Sequence, residues 1–169
     1  MNSLDTAGLP PIILDSVSIP LVAKARNLGV YVDNKLSWES HVIEVRKRVC
    51  YSLHTLSRFR KVFPKELKKR LIEALVFPIF DYCDVVYSPN LKVESSKSLQ
   101  LAQNACVRYV CNLRKFDRVS KHYLGQDWMR VDTRQNLHML LLLFNLLRSQ
   151  GPQYFQETWN YLKPEGFIL

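Results

Sequence analysis

Glycine is scarce, with five in 169 residues. Neither GxxxxGK[ST] nor GxGxxG occurs, which excludes the common glycine-rich loops that cradle a nucleotide's phosphates. Cysteine is sparse as well. Cys50, Cys83, Cys106 and Cys111 form no CxxC pair, and the four histidines complete no zinc spacing. The four thiols read as reduced and packed as small hydrophobes, which suits an intracellular chain, nuclear or cytoplasmic and not secreted. The opening MNSLDTAGLPP has no basic stretch and no apolar core, so it does not read as a signal peptide. Long hydrophobic runs are lacking too. The most apolar stretch, LHMLLLLFNLL at 137–147, is about half of what a membrane span needs, and His138 and Asn145 interrupt it. It reads as a buried helix, with no membrane partner. A serine nucleophile would need an elbow such as GxSxG, and none is present.

The most informative shortage is of acid in one segment. Residues 41–70 hold ten lysines and arginines against Glu44 and Glu66, a local charge of +8. The other 139 residues hold fourteen basic groups against thirteen acidic ones. Nearly all of the net +9 is therefore concentrated in thirty residues. Such a patch attracts polyanions, of which nucleic acid is the commonest. Its plain alternative is a solvated face that keeps the chain soluble.

What is present patterns as a mainly α chain: an N-terminal β-hairpin followed by a bundle of about five helices. PIILDSVSI and RNLGVYV read as two strands within 11–33, and such a hairpin must pack on something to be stable. Its unpaired edges predict self-association through 12–33. Residues 38–62 read as a long helix, with Ser37 placed to cap it. Val42, Val45, Val49, Leu53 and Leu56 form an apolar stripe. Lys47, Tyr51, His54, Arg58 and Lys61 recur at helical spacing on the other side, with Arg46 beside them. After Pro64 a second helix at 65–77 turns Leu67, Leu71, Ala74 and Leu75 inward and Lys65, Lys68 and Lys69 outward. These cations, with Tyr51 and His54, are the candidate nucleic-acid-binding residues: Lys and Arg neutralise phosphates, and a tyrosine can stack on a base or sugar. Further helices are expected at 95–113, within 116–128, at 134–149 and around Tyr154, Phe155 and Trp159.

Carboxylates give little. Asp81 and Asp84 lie three apart, and paired acids can hold a metal, but they follow Pro78 at a helix end, where Asp commonly makes local hydrogen bonds. Asp33 reads as a turn former and His41 as a packing group. No catalytic residue and no metal ligand is assigned from these patterns.

Five stretches in order carry a resemblance: LGVYVDNKLSWESHV, SLHTLSRFR, ALVFPIFDYCDVVYSPN, LQLAQNACVRYVCNL and YLGQDWMRVDTRQNLHMLLLLFNLLRSQGPQYF. Together they resemble the region just beyond the catalytic palm in reverse transcriptases of jockey-like non-LTR retrotransposons, over about 12–156. The resemblance implies a palm-end hairpin remnant at 1–36 and a helical thumb and post-thumb region at 37–169. It implies RNA–DNA or DNA duplex backbone as partner, with the upstream catalytic part of the polymerase as a second. The full polymerases use magnesium held by palm aspartates of an FADD- or YADD-type motif. That motif does not occur here, so no cofactor is expected in this chain, and polymerase activity is not expected of it alone. The rival readings are a host-adopted helical module for protein interaction and a decayed element product without function.

Overall fold

The structure is a computed structural model and describes residues 12–148 and Tyr154. The expected helix around Phe155 and Trp159 lies outside the described residues, and Tyr154 is exposed.

The fold is mainly helical, as the patterning predicts, and begins with two hairpins where one was expected. Strands β1 (Ile12–Leu14) and β2 (Val17–Ile19) pair antiparallel, with Leu14 opposite Val17. The two residues between them, Asp15 and Ser16, have φ of 49° and 66°. Positive φ at both central positions makes the tight turn whose twist suits a hairpin, and Asp tolerates it. The stretch read as one strand thus folds back on itself. Strands β3 (Lys24–Asn27) and β4 (Val30–Asp33) form the second hairpin, turning at Leu28 and Gly29. Gly29 has φ of 87°, a conformation glycine adopts without strain. The two hairpins differ in burial. Both strands of the first are exposed throughout, whereas Val30 of β4 is buried.

Helix α1 (Glu39–Ser57) buries His41, Val42, Val45, Val49 and Leu56, with Leu53 packed against them. Pro64 precedes α2 (Lys65–Leu75), which runs through Val76 into the short α3 (Phe77–Asp81). Cys83, at φ 56°, breaks the chain before α4 (Asp84–Tyr87), and a 3₁₀ turn follows at Ser88–Asn90. The long α5 (Val93–Val110) buries Leu99, Ala102, Cys106, Val107 and Val110 and packs along α1. Helices α6 (Ser120–Leu124) and α7 (Val131–Arg148) complete the described chain.

One core joins these elements, in which Ile72, Val76, Phe77, Phe80, Tyr87, Trp128 and Val131 are buried together with the inward sides of α1 and α5. Each such side chain contributes about 1.5–3 kcal/mol on burial. Trp128 packs edge-on to Phe77 at 4.7 Å and donates its Nε1–H to Glu73 at 2.8 Å.

The apolar run on α7 is not buried as expected. Leu137, Leu140, Leu141, Phe144 and Leu147 are exposed, while Val131 and Gln135 face the core. The reason is the floor beneath the helix. Arg134 and His138 meet carboxylates there, which turns the leucines outward. Of the cysteines, Cys106 is buried, Cys83 and Cys111 are half-buried and Cys50 is exposed, all free. Among the described residues no helix is long and apolar enough to cross a membrane.

Candidate nucleic-acid interface

Lys47, Tyr51, His54 and Arg58 stand along one exposed side of α1 and its end, and Lys61 follows in the turn. The opposite side is the valine stripe that fixes the helix on α5, so the core sets which way these groups point. Tyr51 is 75% exposed. A shallow groove beside it is lined by Glu44, Lys47, Arg48, Tyr51, Ser52 and Ile79. Arg48 is tied to Glu44 at 3.4 Å, one turn away. Arg46, Lys47, Arg58, Lys61 and Lys65 are exposed, and among the described residues none forms an ion pair.

The outward assignment of α2 needs correction. Lys68 is 2% exposed, not facing solvent. Its Nζ donates to Asn112 Oδ1 at 2.9 Å and lies 5.7 Å from the centre of the Tyr109 ring. Burial, with the charge of Arg60 acting the same way, holds its pKa below the ordinary lysine value. Lys69 is half-buried and sits 4.0 Å from both Glu73 and Asp127. Leu67, expected inside, is exposed instead, so the helix is rotated about a residue from the expected register. Lys65 alone of the three α2 lysines is a free surface cation.

Arg60 also turns inward. Its Nη2 donates to the carbonyls of Arg108 and Leu113 at 3.2 and 2.9 Å. A cation there satisfies acceptors at the end of α5 and opposes the negative end of its dipole. Lys68 reaches Asn112 at the same place. Two of the ten cations in the basic segment are therefore structural. Sequence reasoning missed them because their partners lie 44 to 53 residues away and no local spacing signals them.

Asp33 organises a turn. Its carboxylate accepts from the backbone N–H of Lys35, Ser37 and Trp38 and from the Ser37 hydroxyl, at 2.9–3.2 Å. Ser37, read as the cap of α1, is thereby a donor to Asp33; the residue at the cap position is Trp38, with φ of 60° and no side-chain cap bond. His41 packs edge-on to Tyr87 at 4.8 Å, and its Nδ1 accepts from Tyr31 N–H at 3.5 Å.

Asp81, Asp84 and His138 present oxygen and nitrogen donors within 4.8 Å of one another. Both oxygens of Asp81 are held by Arg134 at 2.6 Å, and Asp84 meets His138 Nδ1 at 2.6 Å. A guanidinium and an imidazole thus engage both oxygens of Asp81 and one of Asp84. Burial raises the pKa of Asp84, against the pull of His138. The cluster is a clasp that fixes α7 to α3 and α4.

No protein-family model, no curated protein and no solved structure matches this chain.

Proposed function

We propose that this chain binds the phosphate backbone of nucleic acid through α1 and the turn that follows it. One observation carries the reading: five exposed cations have no ion-pair partners among the described residues, Arg46 and Lys47 on α1 beside Tyr51 and His54, Arg58 at its end, Lys61 in the turn and Lys65 at the start of α2, and the other side of α1 is locked in the core. Rigid placement keeps the charges from collapsing onto neighbouring acids. Phosphate contacts of this kind hold a duplex without reading its bases. Lys69 adds a partly neutralised charge, and Lys68 contributes to the fold only.

The resemblance to the post-palm region of jockey-like reverse transcriptases suggests the partner: an RNA–DNA or DNA duplex, gripped by a thumb-like helix pair in a chain that is not catalytic by itself. An intracellular setting, nuclear or cytoplasmic, goes with that partner. An acidic protein partner is the second reading, which the same charges would serve.

The test is a titration of the chain into duplex at rising salt. Lys47→Glu and Arg58→Glu are expected to weaken binding and to lower its salt dependence, and Lys68→Met to leave both unchanged. Equal affinity for all variants would refute the assignment.

A further inference from the structure

A second concentration of charge lies between α5 and α6. Arg114, Lys115 and Arg118, with Lys121 at the start of α6, lie within five residues of Phe116, and all five side chains are exposed. Phe116 is 90% exposed, and Lys115 Nζ stands 5.6 Å from the centre of its ring. The one acid among them, Asp117, is engaged inside the loop, where its Oδ2 accepts from Arg114 N–H at 2.7 Å. The Asp117 N–H returns to the Arg114 carbonyl at 3.3 Å, and the Asp117 carbonyl accepts from Arg108 at 3.5 Å. Val119 is buried and roots the loop in the core. The turn therefore holds its shape, and it holds a phenylalanine in water. Burying that ring would be worth about 1.5–3 kcal/mol to the fold. A planar ring flanked by cations on a fixed turn has the chemistry to stack on an unpaired base while neutralising the phosphates on either side.

The loop adjoins the C-terminal end of α1 and the turn that follows it. Arg60 Nη2 bonds the Leu113 carbonyl across 53 residues of sequence, and Lys61 and Arg114 are the next residues on either side. Tyr109 donates its hydroxyl to the Leu56 carbonyl at 3.2 Å, and Lys68 bonds Asn112. These links hold the end of α5, from which the loop runs, against the end of α1, the turn that follows it and the start of α2.

We propose that loop 114–121 is a second nucleic-acid contact that takes an unpaired nucleotide, with Phe116 stacked on its base and Arg114, Lys115, Arg118 and Lys121 on the adjoining phosphates. The inference rests on backbone binding by α1 and adds a separate contact, on the loop, for a nucleotide outside the paired region.

The full chain is titrated with a blunt RNA–DNA duplex and with the same duplex carrying a single-stranded extension, 2-aminopurine being its first unpaired base. The wild type is expected to bind the extended form more tightly and to change the 2-aminopurine fluorescence. Phe116→Ala is expected to lose about tenfold on the extended form, the scale of one base–aromatic stack. It should keep its affinity for the blunt duplex and leave the fluorescence unmoved. Phe116→Trp should behave as wild type. The ring buries almost nothing, so the variants are expected to melt with the wild type by circular dichroism. Unchanged binding and fluorescence in Phe116→Ala would overturn the loop assignment while backbone binding stands. Failure of the wild type to bind either duplex would overturn both. Phe116-dependent binding to phosphatidylserine vesicles, without preference between the duplexes, would overturn it in favour of a lipid surface.

Discussion

Asp33 shows how one side chain organises the entry to α1. Four hydrogen bonds converge on it from residues 35–38, where Leu36 and Trp38 both hold positive φ. Burial pushes its pKa up, but the bonds from Ser37, Lys35 and Trp38 outweigh burial and hold the carboxyl below its ordinary 3.8. A depressed folded pKa gives stability that is present above the unfolded value and lost as pH falls through the folded one. Asp33→Ala is therefore expected to cost about 1–3 kcal/mol in urea unfolding near neutral pH, with the difference from wild type shrinking below about pH 4. The sign at His41 is opposite. Burial lowers its pKa, Arg48 adds to this, and Glu44 opposes it. The unfolded chain takes the proton first, so stability declines as pH drops below about 6.5. The melting temperature of the wild type should fall between about pH 7 and pH 5, and less steeply in His41→Phe, which keeps a ring against Tyr87. Parallel slopes would contradict this. Lys68→Met is expected to lose about 1 kcal/mol of stability with its bond to Asn112 and no affinity for nucleic acid. Weaker binding with an intact fold would place Lys68 back on the surface. The turn role of Asp33 and the packing role of His41 were legible from local pattern; the inward turn of Lys68 was not, because its partner Asn112 is 44 residues away.

Helix α1 was legible because its two sides differ in kind: valines inward, cations outward, over nearly its whole length. Helix α7 was not. A leucine run predicts burial from composition alone, but Asp81 and Asp84 on the facing elements draw Arg134 and His138 inward and leave six large apolar side chains, Leu142 among them, in water. The clasp can be measured. A double-mutant cycle of Asp81→Asn and Arg134→Met should return a coupling of about 1–2 kcal/mol, as for a partly buried bidentate pair. A coupling near zero would mark it as an ordinary surface ion pair. The first hairpin raises a different matter. Ile12, Ile13, Leu14, Val17 and Ile19 are all exposed, and a small apolar hairpin with open edges invites pairing with another chain. Light scattering should show association growing with concentration, and Ile13→Lys should reduce it. A monodisperse wild type at high concentration would contradict this.

For the molecule as a whole, the mainly helical class followed from periodicity, and the concentration of charge followed from counting. The effective charge did not. Folding turns Arg60 and Lys68 inward and sets Lys69 near two acids, while residues 114–121, remote in sequence, bring four cations beside the end of α1. Position along the chain gave the density of charge, and only the fold assigned which charges are free. The account's central claim is that these free charges grip a nucleic-acid backbone, and it is tested most directly by anisotropy of a labelled RNA–DNA primer–template across salt concentrations. Counterion release gives a log–log slope of roughly −0.9 per phosphate neutralised on B-form DNA, which serves as a guide for the hybrid. The account predicts steep salt dependence for the wild type, lost in the triple variant Lys47→Glu, Arg58→Glu and Lys61→Glu. Absence of binding by the wild type even at low salt, or an equal slope in the triple variant, would contradict it.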